Sequence, residues 1–370
     1  MPQVDVKRVH GGNIWELERT LGVTRERMLD FSIDVNPLGF PPGVRSIIAQ
    51  TIDEIQHYPD PDAHAFRKAI ASHHRISVES VLPGNGSAEL IALLATFQPL
   101  TRAFVAVPTF TEYEWALARR GVEVVCACAE ETNGFHHGWD AQMWQERLDG
   151  VQMIFVCNPN NPTGVAISKE RVLWLADRCQ ESGVLLVVDE AYVDFTEQPA
   201  AASVASEAAT LDNVIVLRSL TKWFAVPGLR LGYLVAHPEL VGRLREWQSP
   251  WPLNSFALAV GPALLADAVF TERSRATMIS LRHAFYRQLQ SVSGLQPFPS
   301  SANFFLCRLT ARSMSAADLW RAMAKRGVLI RYCDDFTGLE PGRFIRLAVR
   351  NAAENERLIG ALREVLSDAG

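Results

Sequence analysis

Lys222 stands in Arg218-Ser219-Leu220-Thr221-Lys222, and Arg230 follows in Gly228-Leu229-Arg230-Leu231-Gly232-Tyr233. A lysine amine can condense with a carbonyl carbon, while a hydroxyl and a guanidinium fork nearby can hold an anion. Upstream, Val187-Val188-Asp189-Glu190-Ala191-Tyr192 ends an apolar run in an acid, with a tyrosine three residues on. A carboxylate placed there can keep a heterocyclic nitrogen protonated, and the Tyr192 phenol can meet an oxygen on the same ring. Asn158-Pro159-Asn160-Asn161-Pro162-Thr163-Gly164 makes a turn whose Asn161 can reach that oxygen as well. Gly84-Asn85-Gly86-Ser87-Ala88-Glu89 is a glycine turn that runs into the apolar helix expected over Leu90 to Phe97. The free N–H groups of such a turn, at Gly86, Ser87 and Ala88, suit a phosphate.

A lysine for a covalent imine, an acid for a ring nitrogen and a cradle for a phosphate are together what pyridoxal 5'-phosphate requires. The catalytic candidates are therefore Lys222, Asp189 and Tyr192. The phosphate contacts are expected from Gly86, Ser87, Ala88, Ser219 and Arg230. Taken alone, Asp189 reads as a helix N-cap after a strand; Lys222 downstream in Ser-x-x-Lys turns the balance toward the cofactor.

These residues need a frame that brings them together. Strands are expected over Ala103 to Val107, Val122 to Cys128, Val151 to Val156, Val184 to Val188 and Val214 to Leu217. Helices are expected over Phe110 to Arg120, Asp140 to Leu148 and Lys169 to Glu181. Continuous Val/Ile/Leu runs between amphipathic helices predict an α/β fold with a mostly parallel central sheet covered on both faces. Ligands of such sheets gather at the carboxyl ends of the strands, where Asn158, Asp189 and Ser219 fall. After Pro250-Trp251-Pro252 the pattern changes to helices over Ser255 to Ala268 and Thr271 to Val292. Short strands follow over Asn303 to Cys307, Val328 to Ile330 and Phe344 to Ala348, then a last helix over Ala352 to Leu366. This part reads as a smaller α+β domain. The expected division is an N-terminal segment (1–40), a large cofactor-binding domain (41–280) and a small domain (281–370). Ala200 to Ala209 reads as a surface helix or loop.

The order and approximate spacing of these motifs resemble the aminotransferase-like enzymes of the aspartate aminotransferase fold, the type I fold of pyridoxal-phosphate-dependent transferases. The resemblance implies that Phe110, in Pro108-Thr109-Phe110, stacks on the cofactor ring. It also implies that Tyr58, in His57-Tyr58-Pro59-Asp60, crosses to the phosphate of a neighbouring subunit, hence a homodimer with shared sites. Within this group His10-Gly11-Gly12-Asn13-Ile14 and Leu29-Asp30-Phe31-Ser32-Ile33-Asp34-Val35-Asn36-Pro37-Leu38-Gly39 resemble the L-threonine-O-3-phosphate decarboxylases of cobalamin biosynthesis, over nearly the whole chain. The Lys222 region is shared with the histidinol-phosphate aminotransferases, so transamination of a phosphorylated amino compound is the alternative activity. The resemblance carries substrate contact to His10, Gly11, Asp34 and Asn161. It gives a carboxylate and a phosphate anchor to Arg346 and Arg331, in an order the sequence leaves open. Asn13 and Glu16 also have the spacing of a helix cap. At Asp34 the decarboxylase pattern has asparagine, and a carboxylate there would repel a substrate phosphate unless His10 or an arginine intervenes.

Composition sets the outer bounds. The chain has 370 residues, 48 % hydrophobic and 21 % charged, with a formal net charge of -5. That balance is ordinary for a globular protein and argues against a nucleic-acid partner. Met1 to Lys7 lacks the apolar core of a secretory signal, and no long uninterrupted apolar run suggests a membrane span, so a cytoplasmic enzyme is expected. The six cysteines are scattered and read as buried or partly buried free thiols. His73-His74 and His136-His137 lack the i, i+4 spacing of metal ligands, and no metal is expected. The expected partner is a small phosphorylated amino acid.

Overall fold

The computed structural model describes residues 11–12, 14–21, 28–138, 148–311 and 313–367. After a short strand β1 (Leu29–Asp30) come β2 (Val81–Asn85), β3 (Arg102–Val107), β4 (Glu123–Cys128), β5 (Met153–Cys157), β6 (Leu185–Asp189), β7 (Val214–Ser219) and β8 (Leu231–Ala236). These seven form one sheet in the order β2-β8-β7-β6-β5-β3-β4. The pairs from β7 to β4 are parallel, and β8 runs antiparallel to both of its neighbours.

The apolar runs are continuous because both faces are covered. On β7, Val214 and Val216 face one core while Ile215 and Leu217 face another. The same alternation divides Leu186 and Val188 of β6 from Val187. Helices Ser87–Leu94, Glu112–Ala118 and Pro238–Trp247 contribute to the second core, and His64–His74, Lys169–Glu181 and Ser255–Ala266 to the first. A side chain removed from water on either face contributes about 1.5–3 kcal/mol, so each strand is held from two sides.

A second sheet is antiparallel, with the order β12-β13-β10-β9 from β9 (Leu295–Pro297), β10 (Phe304–Leu309), β12 (Arg331–Tyr332) and β13 (Phe344–Ala348). The strand β11 (Val328–Leu329) pairs in parallel with β1. The segment around residues 28–36 joins the two sheets. Ala348 N–H donates to Phe31 O at 3.0 Å on one side, and Asn36 N–H donates to Lys222 O at 2.9 Å on the other. Asn36 Nδ2 adds a bond to Trp223 O at 2.9 Å. The N-terminal stretch is thus pinned directly to the turn carrying Lys222.

The predicted strands of the large sheet fall within one to two residues of those observed, and the last helix is Ala352–Ser367. The differences have local causes. β2 and β8 carry Pro83, Gly84 and Gly232, which hide a strand pattern. β2 lies at the sheet edge, where a proline costs no second ladder bond. The helix after β2 begins at Ser87, three residues before the expected Leu90. The expected strand over Val328 to Ile330 splits at Ile330 because its two halves serve different partners. Residues 200–209 fold into two short helices, Pro199–Ala202 and Ala205–Ala208, and Ala205 and Ala208 are buried where a surface element was expected. Cys128 is exposed, in contrast to the buried or partly buried state expected. Residue 280 lies inside the continuous helix Ala268–Gln290. The helix expected over Asp140 to Leu148 falls almost wholly outside the described residues. Among the described residues no single helix is long and apolar enough to cross a membrane.

Candidate active site

The carboxyl ends of β2, β3, β5, β6 and β7 open onto a cavity of about 350 Å³, and the second sheet contributes Arg331 and Arg346 to its wall. Of the described site residues expected from sequence, all but Tyr58 line it. Tyr58 is 79 % exposed and stacks on Trp251 at 4.4 Å between ring centroids. His10 lies outside the described residues.

The anion cradle is built around two glycines. Gly86 links β2 to the helix Ser87–Leu94 with φ +76°, a conformation that L side chains rarely adopt. A Cβ there would also fall 2.5 Å from Arg230 Nη2, so the guanidinium lies against the turn because the turn has no side chain. Gly232, next on β8, lets that strand approach the same turn; a Cβ would lie 2.6 Å from Ser87 N. The first N–H groups of the helix and the Arg230 fork therefore meet at one place. Ser219, at the end of β7, shares a hydrogen bond of 2.7 Å with Thr221 Oγ1 beside them. This donor set fits a phosphate.

Asp189 ends β6 fully buried. Burial pushes its carboxyl up from the ordinary value, opposed by the Tyr113 hydroxyl, which donates to Oδ2 at 2.7 Å, and by Ala191 N–H, which donates to Oδ1 at 3.0 Å. Tyr113 was missed in the sequence. It stacks on Phe155 in the core at 5.1 Å and meets Phe110 edge-on at 5.6 Å, so two aromatic rings and an acid form one wall of the cavity. Phe110 and Tyr113 lie one turn apart, spanning the start of the helix Glu112–Ala118, and the i, i+3 spacing was the available signal. Cys157 also lines the cavity, with burial pushing its thiol well up and out of the reactive range.

The substrate end is a set of buried ion pairs. Arg346 donates from Nη1 to Asn161 Oδ1 at 2.6 Å and from Nη2 to Ser32 O at 2.9 Å, and its Nη1 lies 3.1 Å from Asp34. Among the described residues its buried Nε has no hydrogen-bond partner. Arg331 directly faces Arg346 across the β12–β13 ladder. Its Nη2 forks onto Asp335 at 2.7 and 2.6 Å, and Nη1 donates to Tyr332 O. Asp335 was not anticipated. Gly11 lines the cavity so closely that a Cβ would strike Ser32 O. Arg350, by contrast, pairs with Glu354 at 3.1 Å on the last helix.

Asp34 occupies the centre. Lys222 Nζ donates to its Oδ1 at 2.8 Å, and the Tyr192 hydroxyl donates to its Oδ2 at 2.5 Å. Burial pushes this carboxyl up, but Arg346 and then Lys222 overcome that and hold it well below the usual carboxylate range. The arginine that neutralises Asp34 is thus Arg346.

A mostly parallel sheet with a lysine, an acid and an anion cradle at its carboxyl edge defines a class, and the chain belongs to the aminotransferase class I and II family, whose pattern matches residues 26–362. The chain is 36 % identical over 361 residues to the threonine-phosphate decarboxylase of Salmonella typhimurium, covering 97 % of this chain and 96 % of that one. Among solved structures it is similar to histidinol-phosphate aminotransferase from Clostridium acetobutylicum, with a TM-score of 0.84 at 29 % identity over 92 % of this chain and all of that one. The fold is also that of histidinol-phosphate aminotransferase from Sinorhizobium meliloti in complex with pyridoxal-5'-phosphate, with a TM-score of 0.86 at 22 % identity over 100 % and 98 % of the two chains.

Proposed function

We propose that the chain binds pyridoxal 5'-phosphate through Lys222 and decarboxylates L-threonine O-3-phosphate. The products are carbon dioxide and (R)-1-aminopropan-2-yl phosphate, for cobalamin biosynthesis. One observation carries the substrate class. Arg331 and Arg346 are cross-strand neighbours in the β12–β13 ladder, both buried and both lining the cavity that holds Lys222. Like charges placed directly opposite each other oppose folding, and here Asp335 and Asp34 balance Arg331 and Arg346 in turn. Two guanidiniums side by side on the cavity wall suit a small substrate with a carboxylate and a phosphate on adjoining carbons, since each anion can take its own guanidinium. The likeness to the Salmonella decarboxylase over almost the whole length supports the same reading.

The cofactor, when bound, supplies a ring that takes up the electron pair left on the substrate carbon. Ser87 N–H, Ser219 and Arg230 would hold its phosphate, and Asp189 would keep its ring nitrogen protonated. Tyr192 and Asn161 would serve its ring oxygen, and Phe110 would pack against the ring. Arg346 grips the substrate carboxylate and Arg331 the substrate phosphate. That two-point grip orients the bond to be broken, and orientation decides which bond breaks. Lys222 Nζ then returns a proton to the carbon that lost carbon dioxide.

Transamination is the second reading. It is favoured by the likeness to histidinol-phosphate aminotransferases. Incubating purified enzyme with threonine phosphate and trapping released gas separates the two. We expect carbon dioxide without any keto acid, and no release by Lys222→Ala. Turnover that requires a keto acid and releases no gas would overturn the decarboxylase reading. We further propose a cytoplasmic homodimer in which Tyr58 serves the neighbouring subunit's phosphate cradle, with the chain divided as 1–40, 41–280 and 281–370.

A further inference from the structure

Asp34 makes more bonds than a substrate contact calls for. Its side chain is 3 % exposed, and each oxygen has its own cation: Oδ1 faces Lys222 Nζ at 2.8 Å, and Oδ2 faces Arg346 Nη1 at 3.1 Å. Its main chain is fixed as well. Asn303 Nδ2 donates to Asp34 O at 2.7 Å, and two residues on, Asn36 N–H donates to Lys222 O. These bonds hold the main chain of Asp34 beside the turn that carries Lys222.

The division between oxygens has a chemical consequence. An incoming carboxylate that takes Arg346 competes for Oδ2 only, and the bond from Lys222 to Oδ1 is left standing. Asp34 is the buried member of the pair, and a buried carboxylate stripped of both cations would be costly, so the remaining bond to Lys222 holds. We propose that Asp34 is the resident counter-ion of the Lys222 nitrogen, a positioning residue that keeps this nitrogen protonated so that it delivers a proton to the substrate carbon. In that step the electron pair on the carbon forms the new C–H bond, one N–H bond of Lys222 breaks, and a neutral amine remains beside Asp34. The inference rests on Lys222 being the cofactor lysine. The charged or titratable groups facing Asp34 are Lys222 after β7, Arg346 on β13 and Tyr192 after β6. Cys157 at the end of β5 also feels its charge.

The test compares parent holoenzyme with Asp34→Asn, which keeps the shape and removes the charge, and with Asp34→Ser, which keeps neither. The visible absorption band of the bound cofactor is titrated with pH, and cofactor content and melting temperature are recorded for each protein. Removing an opposite charge at hydrogen-bond distance should lower the midpoint by roughly 1–3 pH units in both variants. The alkaline limb of the turnover profile should move down with it. A role in packing alone would distinguish the two variants and leave the midpoint in place. Equal midpoints in parent and variants overturn the inference and leave the cofactor assignment standing. A parent that acquires no visible band overturns both.

Discussion

The acid that meets the cofactor nitrogen is held by a residue no motif announces. Burial pushes Asp189 toward its neutral form, and the Tyr113 hydroxyl opposes that. Tyr113→Phe removes the donor and keeps the ring stacked on Phe155. A hydrogen bond to a charged group contributes about 1.5–3 kcal/mol, so kcat/KM should fall roughly 10–100-fold. The far-ultraviolet circular dichroism should be unchanged, which steady-state kinetics beside a spectrum will check. Lys222 and Asp189 were legible because covalent and acid chemistry need particular residue types at the ends of apolar runs. Tyr113 was not, because it reads as one more aromatic on a helix whose partner lies 76 residues away. Arg331 was legible only through the family resemblance, whereas Asp335 gives no sign in the sequence that it will fork onto it.

Between residue and molecule, the phosphate turn depends on how closely β8 can approach it. Gly232 has no freedom to gain a methyl group, since the nearest atoms are the Ser87 nitrogen and the Gly86 carbonyl carbon, both main chain. Gly232→Ala should destabilise the fold by about 1–3 kcal/mol and weaken cofactor binding at the same time. Thermal melting with and without cofactor measures both, and a loss of stability with unchanged affinity would detach β8 from the cradle. The parallel strands were readable because burial on two faces leaves little but Val, Ile, Leu and Phe in them. β2 and β8 were not, because Pro83, Gly84 and Gly232 are chosen for close approach at the cradle and erase the alternation that marks a strand. The split of β11 from β12 was equally hidden, since it is set by two distant partners.

At the scale of the whole molecule, several large apolar side chains stand exposed among the described residues. Ile55, Tyr58, Trp247 and Trp251 are each exposed by more than two fifths, and Phe40, Val44, Ile48 and Leu229 line a groove of about 480 Å³. If Tyr58 serves a neighbouring cradle, mixing two inactive chains should rebuild a working site. Refolding Lys222→Ala together with Tyr58→Ala should restore cofactor binding and turnover in the mixture to a level neither variant reaches alone. Activity no greater than the sum of the two would count against shared sites. The same long reach governs how the pocket comes into being. Tyr192 and Lys222 meet Asp34 across 158 and 188 residues of chain, so closing those loops has to precede the reward of the contacts. A chain cut short of Arg230 accordingly lacks part of the cradle, and colour gained on refolding would report that residues 34 to 230 have come together.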